Sequence, residues 1–144
     1  MTKIYNTAVI AKNQASIGDD FKIFKYRGFS STEFKKNYKL YDFELVKRDL
    51  MNHFYIRKGE KLENPNFGTI IWDSLFEQFT PQLREEIAKD VERIINFDKR
   101  IKVESISIDS TEIGIRISAS LIYIPENLKD NMVIEFDRRN SVIK

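Results

Sequence analysis

Ile113-Gly114-Ile115-Arg116-Ile117-Ser118-Ala119-Ser120-Leu121-Ile122-Tyr123 alternates with a period of two. Odd positions Ile113, Ile115, Ile117, Ala119, Leu121 and Tyr123 are all apolar, whereas Gly114, Arg116, Ser118 and Ser120 are small or polar. Successive side chains of a strand point to opposite faces, so this spelling predicts a long antiparallel-type strand with one buried face. Upstream, Ile101 and Val103 lie on one parity and Ile106 and Ile108 on the other. That switch predicts a neighbouring strand with a bulge near Ser105, and Asp109-Ser110-Thr111 supplies the turn between the two. Downstream, Pro125-Glu126-Asn127 ends the long strand, and Met132, Ile134 and Phe136 alternate as a third before Arg138-Arg139.

Helical periodicity precedes this β region. Asp42 is a good N-cap, and Phe43, Val46, Leu50, Met51 and Phe54 then form one amphipathic stripe. Phe54, Tyr55 and Ile56 lead into a short strand before Lys58-Gly59. Asp73 to Phe79 reads as a short helix carrying Leu75, Phe76 and Phe79. At Thr80-Pro81 a capping hydroxyl is followed by proline at the first helical position, with Glu85 and Glu86 early in the helix. Leu83, Ile87, Val91, Ile94 and Ile95 make its apolar stripe, which ends around Asn96-Phe97-Asp98. Helices followed by hairpin-linked strands predict an α+β fold. A small antiparallel sheet would pack against two main helices, with an extended N-terminal arm.

Residues 1–40 form that arm and residues 41–144 the domain. Phe21 to Tyr26 has strand propensity, Arg27-Gly28-Phe29-Ser30-Ser31 breaks it, and residues 32–40 read as a linker or frayed helical turn. The arm carries eight basic residues against three acidic ones, a net +5, whereas residues 41–144 carry sixteen against nineteen, a net −3. Such a segment suits an acidic protein neighbour or nucleic acid. Of 144 residues, 42% are apolar, enough for a real core. No apolar run approaches the roughly 18 residues that span a bilayer, so no membrane partner is expected. The N-terminus lacks a secretory h-region. The chain has no cysteine, which excludes disulfides and thiolate metal sites and fits assembly in a cytoplasm.

Catalytic chemistry finds little footing. His53, the sole histidine, is a poor metal site alone and reads as structural. A peptidoglycan hydrolase would need two carboxylates across a cleft, one with a raised pKa. Glu85 and Glu86 are explained by the helix dipole, and Asp109 and Glu112 by the turn they flank. Lys35, Lys36 and Lys39 interleave with Phe34, Tyr38 and Tyr41, a pattern compatible with a small nucleic-acid-binding domain. No RNP-type or helix-turn-helix signature accompanies it, so nucleic acid is not the expected partner. No enzyme activity and no cofactor are expected.

The stretch Arg57-Lys58-Gly59-Glu60-Lys61-Leu62-Glu63-Asn64-Pro65-Asn66-Phe67-Gly68, running on to Leu75-Phe76-Glu77, is a shaped loop without reactive groups. With Thr80-Pro81 and its helix, this order and spacing resembles the sheath-initiator, or baseplate wedge, family of contractile phage tails. Relatives of that family include a type VI secretion baseplate subunit. The resemblance spans about residues 40–140 and rests on Arg57, Lys58, Gly59, Pro65, Phe67, Gly68, Leu75 and Phe76. The family's Glu-Pro-Arg has its counterpart in Asp98-Lys99-Arg100. There the acid is shorter and the proline is lost, but Asp98 and Arg100 can still pair bidentately.

The resemblance implies a structural virion protein of the tail baseplate, in six copies around the tail tube and hub. It would contact the helical bundle of other wedge proteins and initiate the tail sheath. The family has also carried a lysozyme label. A sheet with an unfilled edge offers N–H and C=O groups to a further strand, here extended arms of the sheath protein. The expected host is the strand 113–124 or the segment Met132, Val133, Ile134, Glu135 and Phe136. Asp98 and Arg100 would brace the join between second helix and first strand, and residues 1–40 would tie the domain to its wedge neighbours.

Overall fold

The computed structural model describes residues 25–30, 39–139 and 142–143. The alternating stretch forms a strand over Gly114–Tyr123, β4 in a chain order that begins with β1 (Arg27–Phe29) and β2 (Lys39–Tyr41). Helix α1 spans Asp42–Tyr55, α2 Ile71–Ser74 and α3 Pro81–Phe97, followed by β3 (Ile101–Ser110), β4, β5 (Leu128–Asp137) and β6 (Val142–Ile143). The fold class is α+β, as expected. The chain divides into two compact units, Met1–Asp42 and Phe43–Lys144.

In the first unit β1 and β2 pair antiparallel, with Gly28 opposite Leu40. A strand therefore occupies Arg27–Phe29, where the sequence predicts a break. Cross-strand pairing decides it, because Gly28 presents no side chain to oppose the partner. Lys39–Tyr41 is likewise a strand and not a linker. Residues 21–24 of the expected strand, and most of the arm, lie outside the described residues. Asp42 has φ +45°, and its Oδ1 accepts from the main-chain N–H of Lys25 and Tyr26, both at 2.8 Å. The helix starts at Asp42 as expected, but its carboxylate is spent on residues 25 and 26.

In the second unit the sheet order is β3-β4-β5-β6, all antiparallel. The register of β3 slips between Val103 and Ser105, the bulge the parity switch predicts. Ile115, Ile117, Ala119, Leu121 and Tyr123 of β4 are buried, with Ile134 and Phe136 of β5. They meet Val46, Leu50 and Phe54 of α1 and Leu83, Ile87, Val91, Ile94 and Ile95 of α3 in one core. Phe136 stands edge-on to Phe54 and Trp72, with centroids 6.0 and 5.2 Å apart, and Phe43 stacks on Tyr123 at 5.3 Å. Each such side chain stabilises the fold by about 1.5–3 kcal/mol through burial.

Two elements differ from expectation. Tyr55 completes α1, so no strand forms at 54–56. Helix α2 lies at 71–74 and not at 73–79 because its first turn is satisfied from elsewhere: Thr69 Oγ1 accepts from Ile71 N–H at 3.2 Å, and Asp90 accepts from Ile70 N–H at 3.0 Å. At α3, Thr80 Oγ1 accepts from Leu83 N–H at 3.1 Å, the expected cap.

Candidate functional site

The Arg57–Gly68 excursion closes on itself through main-chain bonds. Lys58 N–H donates to Thr69 O at 3.0 Å and Thr69 N–H to Ile56 O at 2.9 Å, which makes Arg57 and Thr69 an isolated parallel bridge. Within the loop Glu60 Oε2 accepts from Arg57 N–H at 2.8 Å, and Phe67 N–H donates to Asn64 O at 2.9 Å across Pro65. Gly59 and Gly68 have φ of +93° and +101°. A Cβ on Gly68 would lie 2.6 Å from the carbonyl carbon and oxygen of Arg57. The loop can close only with glycine there.

Side chains from both long helices fasten this closure. From α1, buried His53 accepts Gly68 N–H at Nε2, 3.2 Å away, and stacks on Phe67 with centroids 3.7 Å apart. Phe97 stands edge-on to both rings, and Lys61 Nζ lies 4.7 Å from the Phe67 centroid. From α3, buried Asp90 accepts from Thr69 Oγ1 at 2.8 Å as well as from Ile70 N–H. Arg93 grips Asp90 Oδ1 through Nε and Nη2 and donates onward to Asn66 O at 2.9 Å and Gly68 O at 2.6 Å. Trp72 Nε1–H donates to Phe54 O at 2.8 Å, tying α2 to the end of α1. Leu75 is buried, whereas Phe76 beside it is 69% exposed.

The structure thus gathers Arg57, Lys58, Gly59, Pro65, Phe67 and Gly68 into one clasped loop. Sequence reasoning missed its clasp: Thr69, Asp90, Arg93 and the acceptor role of His53. A signal was present. Asp90 falls seven residues after Leu83 and His53 seven after Val46, both in phase with the buried stripes.

His53 accepts at Nε2 only while neutral. Burial foremost, then the charge of Arg93 and that of Lys61, lower its pKa, against the opposing pull of Asp90. The unfolded chain therefore takes up this proton nearer the ordinary value of about 6.5, and the folded protein only at lower pH. Stability is full above that value and falls as pH drops below it, since the unfolded state binds more protons. Urea midpoints are expected to decline as pH falls below about 6.5, and His53→Gln is expected to abolish that slope. An unchanged slope in the variant would assign it to other groups.

Asp98 and Arg100 pair at the join of α3 to β3. Arg100 grips Asp98 in a fork, Nε to Oδ1 at 2.9 Å and Nη2 to Oδ2 at 2.6 Å, and Nη2 reaches Asp49 of α1 at 2.8 Å. Burial pushes the Asp98 carboxyl up, but hydrogen bonds from the Arg100 side chain and main chain outweigh it and hold the pKa below its ordinary value. The brace joins three elements, although Lys99 cannot fix φ as proline would.

The sheet margins follow from hydrogen-bond parity. Arg138 N–H donates to Ile113 O at 2.7 Å, in register with the β4–β5 ladder. Because bonded and non-bonded pairs alternate in an antiparallel ladder, Leu128, Asp130, Met132, Ile134 and Phe136 direct their main-chain groups at β4. Lys129, Asn131, Val133 and Glu135 direct theirs away. Among the described residues, the far side of β5 is met only by β6, at Phe136 opposite Ile143 and Asp137 opposite Val142. The strand 113–124 is paired on both sides and is excluded as an edge. Within the expected segment, Met132, Ile134 and Phe136 spend their groups on β4, so Val133 and Glu135 carry the free ones. Lys129 and the Asn131 carbonyl extend the edge toward the turn, while the Asn131 N–H donates to Asp130 Oδ1 at 2.8 Å. Lys47 Nζ pairs with Asp130 at 2.8 Å and anchors this half of β5 to α1.

Lys39 and Tyr41 of the lysine–aromatic pattern lie on β2, and residues 34–38 are outside the described residues. No described helix is long and apolar enough to cross a membrane. Residues 42–126 match the model of a family described as baseplate wedge protein gp25. The match runs from α1 through β4 and stops just short of β5. Among solved structures, one from Geobacter sulfurreducens described as a candidate tail lysozyme aligns with a TM-score of 0.59. It is 20% identical, over 69% of this chain and 93% of that one, a likeness of fold alone. No curated protein matches the chain.

Proposed function

Because this chain belongs to the gp25 family of baseplate wedge proteins, a structural family of phage tail baseplates, we propose that it initiates the contractile sheath by strand addition at β5. Extended arms of the sheath protein would pair with the outward N–H and C=O groups of Lys129, Val133 and Glu135 and with the C=O of Asn131, whose N–H is donated to Asp130 Oδ1 at 2.8 Å. The observation that supports this reading is that, among the described residues, no strand pairs with the margin of β5 along those residues. Main-chain bonds supply affinity, and alternate side chains set register. Loop 57–68 and the Asp98–Arg100 brace hold the two helices and the sheet as one platform. Exposed Phe76 and the basic arm are the surfaces offered to the wedge's helical bundle, with six copies around the tail tube and hub.

Proline at Val133 removes an outward donor and leaves the β4 ladder intact, as edge strands tolerate. Val133→Pro is expected to fold and to enter baseplates that then fail to grow sheath, scored by electron microscopy of assembled tails. Met132→Pro removes a ladder donor instead and is expected to cost roughly 3 kcal/mol of stability. Normal sheath on Val133→Pro baseplates would end the strand-addition reading.

The hydrolase alternative asks for a carboxyl held protonated in a cleft. Of the carboxyls with a perturbed pKa, Asp98 and Asp130 are both lowered, while Glu85, Glu104 and Glu135 are each ion-paired. Turnover of purified peptidoglycan that vanishes when one acid is neutralised would revive it.

A further inference from the structure

The opposite margin of the sheet, β3, has its own open side among the described residues. The bonds Thr111 N–H to Gly114 O and Ile124 N–H to Arg100 O fix its parity on either side of the bulge. Beyond the bulge, Ser105, Ser107 and Asp109 face β4, so Ile106, Ile108 and Ser110 direct their main-chain groups outward. Alongside runs a groove of about 310 Å³, with Glu85, Ala88, Lys89 and Glu92 of α3 as one wall and Val103, Glu104, Ser105 and Ile106 of β3 as the other. Its floor is apolar, through Ala88, Val103 and Ile106. Its helix wall carries the carboxylates of Glu85 and Glu92 against the one lysine Lys89. Lys89 is paired with Glu85, and the Glu104 carboxylate is held by Lys129 on the opposite face of the sheet, so Glu92 leaves the rim with a net negative charge.

The side chains of Ile106 and Ile108 lie on the helix side of the sheet, where Ile108 is buried. A segment adding to β3 would place the side chain opposite Ile106 on that same side, into the groove. A lysine or arginine fits both parts: its methylene stem covers the apolar floor and its head reaches the acidic rim. We infer that the β3 margin and this groove form a second docking surface, for an extended partner segment bearing a lysine or arginine anchor. The surface is distinct from the β5 edge and lies across the sheet from it. The bulge at Val103/Ser105 terminates pairing toward the start of β3 and so fixes the segment's register against residues 106–110.

The test uses the full chain with a fluorescent alternating valine–lysine octapeptide and its valine–glutamate counterpart, followed by anisotropy. The lysine peptide is expected to bind, with affinity falling as salt rises. Glu92→Lys, on an exposed helix face, is expected to weaken it by about fivefold or more, and Ile106→Pro to do so by removing an outward donor. Val133→Pro is expected to leave binding unchanged. No binding, equal binding of the glutamate peptide, or indifference to Glu92→Lys would overturn the inference. Loss of binding in Val133→Pro would place the peptide on β5 and overturn it as well. So would concentration-dependent self-association of the full chain that Glu92→Lys abolishes, since the occupant would then be a second copy.

Discussion

Gly68→Ala is expected to lower stability by roughly 3 kcal/mol or more, with Tm falling by about 10 °C. Two costs combine at this position. The backbone sits at φ +101°, where a Cβ is disfavoured by about 1–2 kcal/mol. The added carbon would also meet the Arg57 carbonyl at 2.6 Å, and that contact is with main chain, which cannot swing aside as a side chain would. Relief requires the Arg57–Thr69 bridge to open, and with it the hydrogen bonds from Gly68 N–H to His53 and from Arg93 to Gly68 O. Gly59→Ala isolates the first cost. Its φ is +93°, but nothing lies within 4 Å of an added Cβ, so a loss of about 1 kcal/mol is expected. Equal losses in the two variants, measured by urea unfolding, would show that the approach to Arg57 imposes no constraint.

Asp90→Ala is expected to cost roughly 3 kcal/mol. The substitution strips the acceptor from Thr69 Oγ1 and Ile70 N–H, and Thr69 is fully buried. It also leaves the Arg93 guanidinium without its carboxylate. Arg93 is 39% exposed, so water recovers part of that loss, and the larger share of the cost falls on the two neutral donors. Arg93→Ala is expected to cost a similar amount, roughly 3 kcal/mol, because it takes donors from the Asn66 and Gly68 carbonyls and leaves the buried Asp90 carboxylate without its cation. A double-mutant cycle is expected to show coupling of about 1 kcal/mol. Strict additivity would mean that the two side chains hold the loop independently. Because Asp90 also fixes the start of α2, the variant is expected to quench the native Trp72 fluorescence signature together with stability; loss of stability with an unaltered Trp72 environment would separate the two effects.

The β region and α3 were legible because their signals are local. Alternation over 113–123 sets which face of β4 is buried, the parity switch around Ser105 marks the bulge, and Thr80 caps the helix that Pro81 opens. Where partners are distant in the chain, the reading fell short. β1 at Arg27–Phe29 exists by pairing with β2, and α2 begins at Ile71 because Asp90, twenty residues on, takes the Ile70 N–H. The loop motif was recognisable by its spelling, but its fastening to His53, Asp90 and Arg93 was visible only as polar residues sitting in apolar phase.

Side-chain chemistry along the chain was enough to determine the α+β class, the core stripes and the glycine-punctuated loop, since periodicity and backbone permissiveness are properties of neighbours in sequence. Which strand lies at the margin, and which of its residues turn their N–H and C=O groups outward, was decided by tertiary structure alone. Alternation tells the two faces of a strand apart but says nothing about its two sides, because the main-chain groups on those sides are the same for every residue but proline.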